Sequence, residues 1–386
     1  MLTGRRYLLA FTSEQEQLAE TIGEICRVVW NTGLEQRRAY RRQGTVIGYV
    51  EQARQLAEAK KDFPWLAETP SHTLQQTLRD LERACKTHGA FQVRWRSKKR
   101  GKVSFRFPDP NHLQVKRLNR RWGAVKLPKF GWVRFRWTRP LGGTVRNATV
   151  PRDGGRWYIA FCVEDGLPEA APNGQPPVGV DRGVVNAVTC SDGWAKDREL
   201  VTPGEAKRLR RLQQQLARQK KGSKRRAVTK AKLARLNARI RNRRNDFCVW
   251  VANRLTRRHG LVVVEDLNIK DMTASAKGTI EAPGRQVRQK AGLNRAILNK
   301  GWSRLVLALE HAGRYHGCSV VMVNPAYTSQ TCSAWGHRAS ENRESQAVFR
   351  CVACGHLDHA DVNAAKNILA AGLAVTGRGD LAGRRL

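Results

Sequence analysis

The sequence predicts a multidomain protein in which an α+β half is followed by an α/β half. Three observations lead there. Hydrophobic spacing of the helical kind gives way near residue 91 to strict alternation. The stretch Ala171-Pro172-Asn173-Gly174-Gln175-Pro176-Pro177 interrupts all periodicity. Beyond Val178, short all-apolar runs alternate with long helical stretches.

Residues 12–90 read as helical because Ile22, Ile25, Val29 and Trp30 recur at helical spacing, as do Leu74, Leu78, Leu81 and Ala84 behind the cap-like Pro70-Ser71. From 91 to 166 the period is that of strands: Val103, Phe105 and Phe107 alternate with polar residues, Trp132, Phe135 and Trp137 follow Gly131, and Trp157, Ile159 and Phe161 follow the turn Asp153-Gly154-Gly155. Residues 171–177 are expected to link the halves. Val178-Gly179-Val180-Asp181 then opens the second half as a strand, with a return through Ala187-Val188-Thr189 before the turn Asp192-Gly193. Leu209, Leu212, Leu216, Leu233, Leu236 and Ile240 keep an apolar stripe through basic helices at 207–259, joined around Gly222-Ser223. Leu261 to Val264 read as a strand buried on both faces and ending at Glu265-Asp266. A polar segment, 267–292, precedes one helix carrying Ile297, Trp302, Leu305 and Leu309 up to Gly317, and a strand at 319–323 follows. The last helix starts at Asp361 and carries Ala364, Ala365, Ile368 and Leu369, leaving 376–386 as a mobile basic tail.

Charge narrows the function. Against 71 Lys+Arg stand 32 Asp+Glu, a net +39 that calls for a polyanionic partner, nucleic acid first. No run of about 18 apolar residues exists to span a membrane, and the first residues lack the apolar core of a secretory leader, so a cytoplasmic protein with no membrane partner is expected. Between 207 and 244 lie seventeen Lys or Arg and no acid. Lys207, Arg208, Arg211, Arg218, Lys220, Lys221, Lys224, Arg225, Arg226, Arg235 and Arg239 are therefore candidates to neutralise phosphates, with a merely solvated face as the alternative. Trp95, Arg96, Phe105, Arg106, Phe135, Arg136 and Trp137 interleave aromatics with cations, a pattern open to base stacking or to ordinary core packing.

Three acids stand where a structural acid is not expected: Asp181 in an apolar strand, Glu265 at the end of another, and Asp361 opening an amphipathic helix. Carboxylates converging from adjacent strand ends hold a pair of Mg²⁺ ions for phosphodiester hydrolysis. Taken singly, a tight turn before Gly183, an arginine partner or an N-cap would explain each. Cys351-Val352-Ala353-Cys354-Gly355 is a metal knuckle, with two residues between thiolates and a glycine for the positive φ that follows. Its upstream counterpart, Cys332-Ser333-Ala334-Trp335-Gly336, carries an indole in place of the second thiolate. A Zn²⁺ site of Cys332, Cys351 and Cys354 is thus one ligand short. His337 or His356 is open to complete it, and a metal-free fold packed on Trp335 is the other possibility.

Taken together, these residues resemble a known family. Val178-Gly179-Val180-Asp181-Arg182-Gly183 with Ser191-Asp192-Gly193, Val263-Val264-Glu265-Asp266-Leu267-Asn268, Asn324-Pro325-Ala326-Tyr327-Thr328-Ser329-Gln330-Thr331-Cys332, and Asp358-His359-Ala360-Asp361-Val362-Asn363-Ala364-Ala365 look like the RuvC motifs and zinc ribbon of TnpB proteins of IS200/IS605 transposons, which Cas12 nucleases share. Val29-Trp30-Asn31, the run Leu74 to Leu81, and Leu127 to Val133 extend the likeness into the first half. The resemblance implies an RNA-guided DNA endonuclease. It implies a wedge β-barrel (1–11 and 91–170) with a helical recognition insert (12–90), then a RuvC domain of RNase H-like fold (178–327 and 358–375) carrying a zinc-ribbon insert (328–357) and a lid (267–292). Asp181, Glu265 and Asp361 would hold the Mg²⁺ ions. A guide RNA from the transposon end would pair with double-stranded target DNA, and the protein would read a short flanking motif, with Gln75, Gln76 and Arg79 as candidate readers. A nucleoid-associated bacterial or archaeal location follows from the same likeness. A DNA-binding repressor that does not cut, or a miniature Cas12-type CRISPR effector, are the alternatives.

Overall fold

The computed structural model describes residues 1–98, 103–279 and 281–377. They fall into two compact units, Met1–Pro168 and Glu169–Leu386, so the expected tail lies, from residue 378 onward, outside the described residues.

The first unit begins with β1 (Leu2–Ala10) and the helices α1 (Ser13–Arg42), α2 (Tyr49–Asp62) and α3 (Ser71–His88). Thr12 starts α1 with a capping box: its hydroxyl accepts from the Gln15 N–H while the Gln15 side chain accepts from the Thr12 N–H. The helical stretch is broken twice, after Arg42 and at the 3₁₀ turn Pro64–Glu68, because glycine and proline punctuate it. Then come β2 (Ser104–Phe107), β3 (Gln114–Arg117), β4 (Trp122–Leu127), β5 (Gly131–Arg136), β6 (Thr144–Asp153) and β7 (Arg156–Glu164). Among the described residues these strands form one antiparallel sheet in the order β2-β6-β7-β1-β5-β4-β3. β1 joins its halves, pairing with β7 through Leu2–Leu8 and with β5 through Leu9 and Ala10. One core unites helices and sheet, with Ile22, Leu34 and Leu74 packed in the same cluster as Tyr7, Phe135 and Phe161. Phe105 and Phe135 are buried there, which corrects the stacking reading for both: an alternating strand turns these rings inward.

The second unit opens before its first strand. Residues 171–177 are not a loose linker, since the Asn173 amide donates to the carbonyls of Thr256, His259 and His316 at 3.0–3.2 Å. β8 (Pro177–Asp181), β9 (Val188–Cys190) and β10 (Ala195–Lys196) are followed by a helical hairpin, α4 (Pro203–Arg218) and α5 (Lys224–Arg258). Leu212, Leu236 and Ile240 form the hairpin's own core. β11 (Leu261–Glu265), α6 (Ile269–Met272), α7 (Val287–Lys300), α8 (Trp302–His316) and β12 (Ser319–Val323) come next. α7 and α8 replace the single expected helix. Gly301 divides them in the left-handed region (φ 75°), and a Cβ there would lie 2.6 Å from Arg244 Cδ. The chain ends in β13 (Val348–Arg350), β14 (Leu357–His359) and α9 (Ala360–Gly377).

The sheet order is β10-β9-β8-β11-β12, with β8, β11 and β12 parallel and β9 and β10 antiparallel. Helices cover both faces. Val178, Val180, Val262 and Val264 pack with Phe247 and Leu255 of α5 and Leu305 and Leu309 of α8. Val263 and Val323 pack on the other face with Ile368 of α9. That packing is close, because Gly179 and Gly372 offer no side chain. A Cβ on Gly179 would sit 2.0 Å from the Ala365 carbonyl oxygen, and one on Gly372 would sit 2.3 Å from Val263 Cγ2. Among the described residues no helix is long and apolar enough to cross a membrane. Gly179→Ala is expected to cost about 2–3 kcal/mol; a urea-unfolding midpoint equal to the wild type's would contradict the close contact between α9 and the sheet.

Candidate active site

Strand and helix periods place the acids. Side chains alternate along a strand, so Asp181 lies on the face of Gly179 and Glu265 on the face of Val263, the face that α9 covers. The parallel register pairs Val180 with Val264, which sets Asp181 beside Glu265 at the ends of neighbouring strands. On α9, Asp361 precedes Ala365 by one turn, and Ala365 lies over Gly179; Asp361 therefore hangs over the strand ends. Glu265 and Asp361 are buried, and Asp181 is partly buried.

The electrostatics follow. Burial first, then the negative charges of Glu265 and Asp361, push the Asp181 carboxyl up to about 7, with Arg343 pulling the other way. Thr328 Oγ1 donates to Glu265 Oε1 at 2.7 Å, and Arg343 Nη2 approaches Asp361 Oδ1 at 3.4 Å. The buried Arg182 guanidinium donates to the Glu265 carbonyl and, at 3.5 Å, to that of Trp302, tying the ends of β8 and β11 to the start of α8. Asp181, Glu265 and Asp361 are a hard-oxygen set suited to Mg²⁺ or Mn²⁺. Arg182 and Thr328 stand in the quoted motifs without a role assigned to them there, and Arg343 has no sequence signal of its own, since contact across distant segments gives all three these positions.

Behind α9 sit the thiols. Cys332, Cys351 and Cys354 bring their sulfurs within 4.8 Å of one another, Cys332 and Cys354 at 3.8 Å. Two matching turns build the cluster: Cys332 N–H donates to His337 O and Cys351 N–H to His356 O, while Gly336 (φ 77°) and Gly355 (φ 73°) supply the left-handed residues. His337 is outside the cluster, which corrects its place as a ligand: its carbonyl is what closes the first turn. His356 is outside it too, its ring 3.8 Å from Asp358. Trp335 occupies the position corresponding to Cys354 and is 72% exposed, so it is no packing residue either.

The basic candidates are mostly solvent-facing: Lys207, Arg208, Arg211 and Arg218 on α4, Lys220 and Lys221 in the turn, and Lys224, Arg225, Arg235 and Arg239 on α5. Arg226 is an exception, since its guanidinium donates to the carbonyls of Leu216 and Gln219 and closes α4. On α3, Gln75 is half-buried and Arg79 is exposed over the Tyr49 ring, whereas Gln76 is buried and donates to Asp80 at 2.9 Å.

Family models match three stretches of the chain. One described as "Probable transposase", for the IS605 OrfB family, matches residues 160–276, and one described as "Cas12f1-like, TNB domain" matches 302–368. A third, "Helix-turn-helix domain", matches residues 1–45, which here hold β1 and the single helix α1. The chain is 39% identical over 373 residues to "Putative RNA-guided DNA endonuclease InsQ" of Escherichia coli (strain K12), covering 95% of this chain and 92% of that one. The chain belongs to the TnpB family. A shorter match, 28% over 151 residues, is to "TnpB-like protein L79" of Acanthamoeba polyphaga mimivirus, covering 39% of this chain and 27% of that one. In fold, this TnpB-family chain is similar to the protein in the cryo-EM structure of a Cas12f1-sgRNA-target DNA complex, with TM-score 0.59, 13% identity and coverage of 93% and 83%.

Two outcomes are expected for this TnpB-family protein. Asp181 carries a folded-state pKa above its ordinary 3.8, so its ionisation opposes folding more strongly as pH rises from 4 to 7 and to a constant degree above. Asp181→Asn should therefore raise the melting temperature of the metal-free protein at pH 8 by roughly 2–4 °C and by less at pH 5; an equal or negative change at pH 8 would count against the buried repulsion. Trp335→Cys should raise zinc content by up to one ion per chain over the wild type and raise thermal stability, whereas mass spectrometry showing unchanged metal content would count against a three-thiol defect.

Proposed function

We propose that this chain is an RNA-guided DNA endonuclease that cuts double-stranded DNA beside a short flanking motif through a RuvC-type two-metal site. The observation that carries it is the meeting of Asp181, Glu265 and Asp361 on the α9 face of the sheet, at the ends of parallel strands. The name of the Escherichia coli relative supports the same activity.

The donor set fits divalent ions. Three carboxylates face one partly buried site, and the upward push on Asp181 comes from burial first and then from the negative charges of Glu265 and Asp361. When bound, two Mg²⁺ ions supply an activated water and a stabilised leaving oxygen. Asp181, Glu265 and Asp361 would hold the ions. Thr328 fixes the rotamer of Glu265, and Arg343 holds Asp361 while offering a cation near the developing charge on phosphate. The segment 267–292, which follows Glu265 in sequence, would serve as the lid; Lys290 in it donates to the Met272 carbonyl, and Asn294 just after it donates to the Thr273 carbonyl. Cys332, Cys351 and Cys354 would hold Zn²⁺ with a fourth, non-protein ligand. The exposed cations of α4 and α5 would follow the backbone of the guide–target heteroduplex, and the first unit would serve as wedge and recognition module. Gln75, half-buried, and Arg79, exposed, would be the readers on α3. Gln76 is held by Asp80 and is set aside.

The experiment is to purify the protein with the RNA it retains, fit a new guide, and follow Mg²⁺-dependent cleavage of a matching duplex. Asp181→Ala, Glu265→Gln and Asp361→Ala should each slow cutting by about 10³-fold or more, a loss of about 4 kcal/mol of transition-state stabilisation, with guide-dependent binding intact. Cleavage by Asp181→Ala at the wild-type rate would sink the proposal. Guide-dependent binding with no cutting by the wild type would favour the repressor reading, to which the substituted knuckle at Trp335 gives its support.

A further inference from the structure

Apart from the thiols, one other group of His, Cys, Asp or Glu donors closes to within 4.8 Å among the described residues: His72, Asp109 and His112. All three belong to the first unit, distant in sequence from the acids and the cysteines. His72 stands in the first turn of α3, and Asp109 and His112 bracket the 3₁₀ turn Pro110–His112 after β2. A 3₁₀ helix has about three residues per turn, so positions i and i+3 eclipse. Asp109 and His112 are therefore presented on one side by their own backbone. Asp109 Oδ1 accepts the Asn111 N–H at 3.0 Å, which fixes the carboxylate plane and turns Oδ2 toward the imidazoles. Oδ2 lies 3.4 Å from His112 Nδ1 and 3.8 Å from His72 Nδ1. The rings are stacked, 5.3 Å between centroids and 20° from parallel.

These distances are those of ligands around one small ion. Donors about 2.1 Å from a tetrahedral zinc ion stand roughly 3.4 Å apart. A cavity of about 640 Å³, lined by the same three side chains with Phe107, Lys126 and Leu127, leaves room on the open side for water or an added ligand. We infer that His72, Asp109 and His112 form a second metal site, for a divalent first-row transition ion of the zinc or nickel kind. Two imidazoles and one carboxylate favour such ions over Mg²⁺, which keeps to oxygen ligands in octahedral array; the site would not compete for the ion of the acid cluster. Its effect is a clamp. The ion would tie the first turn of α3 to the connection between β2 and β3, and an ion that binds only the folded state stabilises it by mass action.

The test uses the full chain and zinc ions alone. Diethyl pyrocarbonate modifies exposed imidazoles, and peptide mapping reads each site separately. Zinc at about ten times its dissociation constant should slow modification of His72 and His112 about tenfold, while exposed His88, in the last turn of α3, reacts as before. Buffered-zinc equilibration with mass spectrometry gives the second reading: His72→Asn with His112→Gln should lose one zinc equivalent, whereas Cys351→Ser should leave that equivalent in place. Equal reactivity of His72 and His112 with and without zinc would overturn the inference on the wild-type protein, whatever the folding of the variants. Equal zinc content in the wild type and a folded double variant would overturn it as well.

Discussion

The close approach of α9 to the central strands is the constraint on which the second unit depends. Gly179 lies under the Ala365 carbonyl, and Gly372 lies over Val263. With any side chain at Gly179, the helix axis would have to move outward by an ångström or more. The carboxylate of Asp361, carried on the same helix one turn before Ala365, would move with it. A glycine in a strand normally weakens it by leaving nothing to pack. Here the empty position sets the distance between an acid on a helix and two acids on strands.

That arrangement places three carboxylates in a chain whose net charge is +39. The surplus of cations is spread over exposed faces, above all on α4 and α5, while the site keeps its negative charge concentrated. Arg182 is buried beside the acids but spends its donors on the carbonyls of Glu265 and Trp302 rather than on a carboxylate. Arg343 alone, among the described arginines, is paired with Asp361. Burial and the like charges of Glu265 and Asp361 thus act together on Asp181, only partly offset by Arg343, a condition that favours binding of a divalent ion.

The cysteine-bearing insert is braced by the same helix. The Asn363 side chain accepts from Ser333 N–H and donates to the Thr331 carbonyl, and Asn367 donates to the carbonyls of Thr328 and Thr331. Thr328 in turn orients Glu265. A change in the metal content of the thiol cluster therefore has a short physical route to the acid cluster, through polar contacts that α9 makes on one side while its packing on Gly179 fixes the other. Exposed Trp335 leaves the first turn intact in backbone and deficient in ligand.

Local pattern carried much of this in the sequence. Apolar period located the strands Val178–Asp181, Leu261–Glu265 and Ser319–Val323 and the basic hairpin around Gly222-Ser223, because period 2 and period 3.6 are properties of consecutive residues. The placement of Asp181, Glu265 and Asp361 in motifs also stood in the sequence, as did the knuckle glycines. Tertiary structure alone decided the rest. It turned Phe105 and Phe135 into the core, gave Gln76 and Arg226 to intramolecular partners, broke the helix at Gly301, kept His337 out of the thiol cluster, and brought His72 to Asp109 and His112. The burial of the rings and the meeting of His72 with Asp109 and His112 depend on which distant segment supplies the neighbour. Spacing along a chain fixes which face a side chain occupies, and only packing fixes what that face meets.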